Sequence, residues 1–372
     1  MLYDQCRMLT GWLCGLALGL GLLLAPSLAA AEETDSIAAA RATVANLTRI
    51  TTANGVQERY AVTLGGVEQW ITIRGRDRNN PVLLFVHGGP GAPEMPLAWT
   101  FQSSWEDYFT VVQWDQRGAG RSYAADVPDL TANRIVEDGG ELLAHLRERL
   151  DVDQVIILGQ SWGSYVGLRM ALANPRWVSV YVGTGQIINF AEGERVGYEW
   201  TVRQAQADNN TEALAELASI APYPNPDGTI PIAKINTERR WSVHYGALMH
   251  GRDAYDFYSA AARLSPDYEP EHVANIGLGS ALSLEPLISD LEAADFNTVR
   301  RVPFPVVLLL GRYDYTTPSE VAARWLERLR APSKCVIWFE NSAHLVQIEE
   351  PGRFLVALVE RVRPLAMRRS SR

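Results

Sequence analysis

Cysteine is scarce in this chain of 372 residues: there are three, and two of them, Cys6 and Cys14, fall among the first fourteen positions. If that stretch is removed, only Cys335 remains. One thiol cannot form an internal disulfide, so no covalent staple is expected even in an oxidising compartment. Cys335 lies in the apolar run Cys335-Val336-Ile337-Trp338-Phe339 and reads as a buried structural thiol. No Cys/His grouping has zinc spacing, so no metal is expected. No cluster of Lys and Arg stands on a recognisable nucleic-acid motif, and the formal net charge is −9; nucleic acid is therefore not an expected partner. Internal repeats and extended low-complexity tracts are also missing.

What is there begins with a leader. Arg7 precedes an apolar stretch over about residues 9–28, followed by Ala29, Ala30 and Ala31 and then the charged pair Glu32 and Glu33. A basic start, an apolar middle and an A-x-A end form a secretory signal peptide pattern, with cleavage expected after Ala31 or Ala29. The expected location is periplasmic or secreted. An uncleaved membrane anchor is the alternative, because the run is long enough to span a bilayer; only then is the membrane a partner. A lipoprotein at Cys14 is disfavoured, since Trp12 and Leu13 stand where small residues are wanted. Removing 1–31 deletes Asp4 and Arg7, so the net charge stays at −9.

Residues 32–57 read as a helical or irregular lead-in. β-rich runs over 59–64 and 67–74 flank Gly65-Gly66, a two-residue hairpin turn. Continuous apolar runs follow at 82–86, 110–114, 155–158, 178–182, 306–310 and 336–339, as buried parallel strands require. Helical periodicity falls between them, at 98–108, 134–150, 162–173, 319–329 and 350–362. Strands alternating with helices predict an α/β fold with a mostly parallel sheet, antiparallel at one edge. The alternation breaks over 186–301, which reads as an inserted helical cap. The core is then 58–185 and 302–366, and 367–372 a solvated tail ending in Arg368, Arg369 and Arg372.

The chemistry starts at Gly159-Gln160-Ser161-Trp162-Gly163. It follows an apolar strand and opens a helix, the context of a nucleophile elbow. A sharp reversal brings strand and helix backbones together, which leaves no room for a Cβ at either glycine. Ser161 needs a base, and six histidines are available. His145 lies mid-helix, His244, His250 and His272 in the expected cap, and His87 in a glycine-rich loop. His344 follows the last expected strand, on the same rim as Ser161, and is the expected base. Asp314 follows the 306–310 strand and completes the Ser…Asp…His order. Thr317-Pro318 beside it also makes it a candidate helix cap. Asp290 and Asp295 are weaker rivals, because no strand precedes them. The expected oxyanion donors are the N–H groups of Trp162 and of Gly89, in the loop His87-Gly88-Gly89-Pro90-Gly91. His87 is read as fixing that loop.

Taken together, HGGPG (87–91), WDQRGAGRS (114–122), GQSWGS (159–164), GRYD (311–314) and His344 resemble the proline iminopeptidase family of α/β-hydrolases. The resemblance implies an eight-stranded sheet, a helical cap, no metal or other cofactor, and removal of N-terminal residues, often proline, from short peptides. It implies the triad Ser161, Asp314 and His344, with Gly89 and Trp162 as oxyanion hole. Asp115 and Arg117 would anchor the loop beside the site. Family members bind the substrate's α-amine with cap glutamates; Glu192, Glu194, Glu199 and Glu238 are the candidates, with no motif to choose between them. The reading is a serine aminopeptidase. An esterase or small-molecule acyl hydrolase using the same triad is the alternative, and a non-catalytic ligand-binding protein the remaining one. No feature of the sequence sets an oligomeric state.

Overall fold

The computed structural model describes residues 25–252 and 254–367. Residues 1–24 of the expected signal peptide and 368–372 of the expected tail lie outside the described residues. Helix α1, Ala25–Leu47, runs through the positions where cleavage is expected. Arg41 on α1 ties it to a later loop, donating to the Ser265 carbonyl at 3.0 Å. No described helix is long and apolar enough to cross a membrane.

Eight strands form one sheet in the order β1-β2-β4-β3-β5-β6-β7-β8. They are β1 Val56–Leu64, β2 Val67–Gly75, β3 Val82–Val86, β4 Thr110–Trp114, β5 Val155–Gln160, β6 Val178–Thr184, β7 Val306–Gly311 and β8 Lys334–Phe339. The first two pair antiparallel across Gly65 and Gly66, both at positive φ (55° and 79°), and β2 joins β4 antiparallel. From β4 to β8 all pairing is parallel. This is the mostly parallel sheet with one antiparallel edge that the sequence predicts.

The central strands are apolar throughout because both faces are covered. Val82, Leu84 and Val86 of β3 enter one core with Val155 and Ile157 of β5 and Val306, Leu308 and Leu310 of β7. The intervening Leu83, Phe85, Ile156, Leu158, Val307 and Leu309 enter the other. Each such side chain stabilises the fold by about 1.5–3 kcal/mol. The first face is covered by α2 (Ala132–Leu150), α3 (Trp162–Ala173) and, further along, α9 (Ser319–Arg328). Between β6 and β7 come α4 (Phe190–Ala207), α5 (Thr211–Ser219), α6 (Ile232–His244), α7 (Ala254–Arg263) and α8 (Pro270–Glu292). No strand interrupts them among the described residues.

Two helices depart from expectation. Over 98–108 the chain forms two 3-10 helices, Met95–Thr100 and Gln102–Asp107, broken at Phe101. Their i→i+3 bonds turn Leu97, Phe101 and Trp105 into the second core, and Gln102 and Glu106 bond to each other at 3.0 Å. The helix expected over 350–362 is present from Pro351, but only its first half, α11 (Pro351–Ala357), is α; a π turn (Leu358–Val362) follows and leads into α12 (Arg363–Met367), while a separate short helix, α10 (Val346–Glu349), precedes it. Pro351 has no N–H to continue α10 and instead starts a new helix at its first turn.

The hairpin is fixed to the fold by a buried ion pair. Arg117 donates from Nε to Asp138 Oδ2 at 2.8 Å and from Nη2 to Oδ1 at 3.0 Å. Its remaining donors reach the Gly65 and Pro128 carbonyls, while Asp138 also accepts from Arg134 and Gln69. A side chain on Gly65 would collide with this pair, at 2.2 Å from Asp138 Oδ1. Asp138→Ala would leave a guanidinium that is 1% exposed without its carboxylate. Urea unfolding should show a loss of roughly 3–5 kcal/mol.

Candidate active site

Ser161 stands between β5 and α3 at φ 55°, ψ −123°. A non-glycine residue at positive φ costs on the order of 1–3 kcal/mol and survives only where its surroundings impose it. Here they do. A Cβ on Gly159 would lie 2.4 Å from the Gly163 carbonyl oxygen, and one on Gly163 would lie 1.9 Å from that of Val86. The Ser161 N–H donates to the Thr184 carbonyl at 3.0 Å, and the Ser161 carbonyl accepts from the Ser164 N–H at 2.7 Å. The Ser161 side chain is left partly exposed among buried neighbours.

The glycine loop after β3 passes directly over this tip. A Cβ on Gly88 would meet Gln160 Oε1 at 2.2 Å and the Ser161 Cβ at 3.2 Å, and Gly89 sits at φ 115°. His87 locks the loop. Burial pushes its pKa down to about 4, so the ring is neutral at pH 7. Nδ1–H then donates to the Gly88 carbonyl at 2.8 Å, and Nε2 accepts the Gln116 N–H at 3.2 Å. Gln116 also donates to the His87 carbonyl and accepts from Trp162 Nε1, both at 2.9 Å. Sequence reading placed loop-anchoring on Asp115 and Arg117, and missed Gln116 between them. Arg117 pairs with Asp138, away from this contact. Asp115 accepts the Arg121 N–H at 2.9 Å and the Tyr268 hydroxyl.

His344 and Asp314 meet at the carboxyl ends of β8 and β7. The His344 Nδ1 to Asp314 Oδ2 distance is 2.9 Å, and the two residues are 3% and 2% exposed. A Cβ on Gly311 would strike the Ala343 carbonyl oxygen at 1.8 Å, so glycine there lets the two loops close together. Asp314 Oδ1 also accepts the Thr317 N–H at 2.9 Å. This bond does not cap α9, whose N-cap is Pro318 with no side-chain cap bond; the loop-fixing and imidazole-binding contacts fall to different oxygens of one carboxylate. Thr317, which the sequence suggests only as a helix start, bridges the pair: its hydroxyl lies 3.1 Å from Asp314 Oδ2 and 3.2 Å from His344 Nδ1. Gly185 links the pair to the elbow. It follows Thr184, which holds the Ser161 N–H, and a Cβ on it would lie 2.6 Å from His344 Cε1. Nucleophile, base and acid candidates thus share one rim.

The rival residues are occupied elsewhere. Asp290 accepts the Ala132 N–H and Asp295 that of Asn297. His145 bonds Tyr60, His272 bonds Arg121, and His250 stacks on Tyr313. The four cap glutamates divide sharply. Glu192 and Glu199 pair at the surface with Arg324 and Arg195. Glu194 and Glu238 are 2% and 0% exposed, and Arg239 bonds both. Glu194 further accepts from Tyr223 and lines a cleft that also contains Ile187, Phe190, Thr317 and Val321. The sequence held a signal: Phe190, Gly197, Thr201 and Ala205 set out the buried face of α4, and Glu194 falls on it. No group of acidic, His or Cys side chains that could hold a metal occurs among the described residues.

A second buried acidic region lies behind the loop. Burial raises the Glu94 carboxyl to about 8 and Asp115 to about 7. Glu94 Oε2 has no hydrogen-bond partner among the described residues, as suits a protonated acid.

Sheet order, elbow and rim define the class, and the comparisons agree. The model of the alpha/beta hydrolase family matches residues 83–358. The chain belongs to that family, and it is a hydrolase. It is 29% identical over 307 residues to a Bacillus subtilis protein named probable aminopeptidase YbaC, covering 81% of this chain and 95% of that one. It is 27% identical over 256 residues to the proline iminopeptidase of Neisseria gonorrhoeae, covering 64% and 76%. Among solved structures it is similar to a proline iminopeptidase-related protein of Thermus thermophilus. That likeness has a TM-score of 0.59 and 24% identity, over 84% of this chain and 99% of that one.

Two outcomes follow from this geometry. Gly185→Ala must place a Cβ against the imidazole at positive φ, so turnover of any accepted substrate should fall about tenfold or more while circular dichroism stays native. For Glu94, the folded carboxyl binds its proton more tightly than the unfolded one. Its contribution to stability is full below about pH 4.5 and is lost as pH rises through about 8. Glu94→Gln removes that titration, and the fall in Tm from pH 6 to pH 9 should be shallower than in the parent.

Proposed function

We propose that the chain is a serine aminopeptidase of the proline iminopeptidase type, with Ser161 as nucleophile, His344 as base and Asp314 as the orienting acid. The observation that carries this reading is the 2.9 Å contact between His344 Nδ1 and Asp314 Oδ2 on the rim where Ser161 is held at positive φ. His344 takes the Ser161 proton as Oγ attacks the carbonyl of the first peptide bond. The Gly89 and Trp162 N–H groups receive the oxyanion. His344 then protonates the leaving amine. Water, activated by the same imidazole, releases the residue from Ser161.

The buried cap cluster supports an amine substrate. Two carboxylates, Glu194 and Glu238, face one guanidinium, Arg239, and Glu194 borders the cleft that reaches Thr317. Burial raises the Glu238 carboxyl, and a cation arriving beside the cluster would favour its ionised form; an N-terminal ammonium is the cation a short peptide offers. The names of the relatives point the same way. The apolar leader supports export, in which case the substrates are peptides outside the cytoplasm.

A matched panel of proline amides, other aminoacyl amides and short acyl esters tests the assignment. Free-amine amides should be cleaved, and blocking the amine should lower kcat/KM by about 100-fold or more. A wide preference for acyl esters would replace the peptidase with an esterase. Ser161→Ala should lower kcat by roughly 10⁴-fold or more and abolish labelling by a fluorophosphonate. An unlabelled parent enzyme would remove the serine mechanism altogether.

A further inference from the structure

The loop carrying His344 is short, irregular and buried, so each of its backbone N–H groups needs a partner. All five from 341 to 345 have one. Asn341 N–H donates to Glu350 Oε2 at 3.2 Å, and that of Ser342 to the Phe339 carbonyl at 3.4 Å. Ala343 N–H donates to both Glu349 oxygens, at 3.1 and 3.0 Å, and Leu345 N–H to Glu349 Oε2 at 3.2 Å. The N–H of His344 itself reaches across to the cap, to the Leu248 carbonyl at 3.1 Å. One carboxylate therefore holds the chain on both sides of the candidate base.

Glu349 also reaches the cap. Its Oε1 accepts the His250 N–H at 2.7 Å. The same cap turn, residues 247–250, touches the acid loop as well. Thr316 Oγ1 donates to the Ala247 carbonyl at 3.2 Å, and the His250 ring stacks on Tyr313, with centroids 3.6 Å apart and planes 4° apart. Acid loop, base loop and cap turn meet at one place, with Glu349 at its centre.

We infer that Glu349 is a positioning residue that fixes the candidate base to the cap turn at 247–250, so that the imidazole is aligned only while that turn is seated. The inference rests on the serine-hydrolase reading above. Glu349 is 7% exposed; burial raises its carboxyl, and the N–H groups of His250, Ala343 and Leu345 oppose that by bonding its ionised form. A carboxylate in this place sets the ring's position through the backbone, because its two oxygens accept from both sides of His344 and from the cap turn at once.

The test compares full-length Glu349→Gln and Glu349→Asp with the parent, using a substrate the parent turns over and fluorophosphonate titration of Ser161. In Glu349→Gln, kcat per titrated site should fall about 10–100-fold, the scale expected of a small misplacement. KM should stay within about threefold. Glu349→Asp keeps a carboxylate but shortens its reach, so its kcat should also fall, with KM again near the parent value. A parent that is not labelled overturns the hydrolase reading and this inference with it. A labelled, active parent with Gln and Asp variants of parental kcat overturns this inference alone. So does a drop in Tm with kcat per titrated site unmoved, which marks a merely structural residue. Should the Gln variant not fold, Glu349→Asp decides: parental kcat per titrated site overturns the inference, and a reduced kcat with KM near the parent value supports it.

Discussion

The arrangement depends on one close approach, that of the α3 backbone to the end of β3 at Gly163 and Val86. With no Cβ at position 163, α3 starts against the sheet, and the chain must reverse within a single residue. That residue is Ser161, forced to positive φ. The same contact places the glycine loop after β3 over the serine, because Gly88 continues from the strand that Gly163 touches. The candidate nucleophile and the candidate oxyanion donors are thus placed by one steric constraint. Strain at Ser161 of on the order of 1–3 kcal/mol is small beside the apolar strands that impose it.

The second half of the site is assembled from the other end of the chain. β7 and β8 bring Asp314 and His344 to the rim, and Gly185 is the surface against which the imidazole rests. Here the enforcing contacts are polar. Thr317 bridges the pair, and His87, Gln116 and Trp162 form a chain that ties the glycine loop to the elbow helix. A neutral His87 suits this role, because with its pKa at about 4 the ring presents one donor and one acceptor across the physiological range. An imidazolium there would lose the bond from the Gln116 N–H.

How far the sequence discloses this depends on where each contact is encoded. The strands β3 to β7 were legible because both faces are buried, which writes them as unbroken apolar runs. Ser161, Asp314 and His344 were legible as candidates because each follows such a run, so position along the chain already says which rim they share. Thr317 and Glu349 were not. Each acts through a partner that only loop closure supplies, and in the sequence Thr317 belongs to a helix start and Glu349 to an acidic doublet before a proline. The cap glutamates show the intermediate case. Helical spacing separates Glu194 from Glu192 and Glu199, but choosing the inward face needed the small residues Gly197, Thr201 and Ala205 read together. The break at Phe101 and the π turn at Leu358–Val362 were hidden because apolar residues three or four positions apart do not by themselves separate 3-10, α and π turns.

The cap is therefore more than a cover. Its turn at 247–250 contributes a carbonyl to the His344 N–H, another to Thr316, and an N–H to Glu349. Each such bond contributes about 0.5–1.5 kcal/mol net, and the stack of His250 on Tyr313 adds to them. Lifting this turn would take these partners from three polar groups at once and free the backbone beside His344. The cleft lined by Glu194 and Thr317 lies where the start of α4 meets the acid loop, and none of residues 247–250 lines it. Different segments of the inserted helices thus border the two places: the start of α4 lines this cleft, and the turn after α6 holds the loops that carry Asp314 and His344.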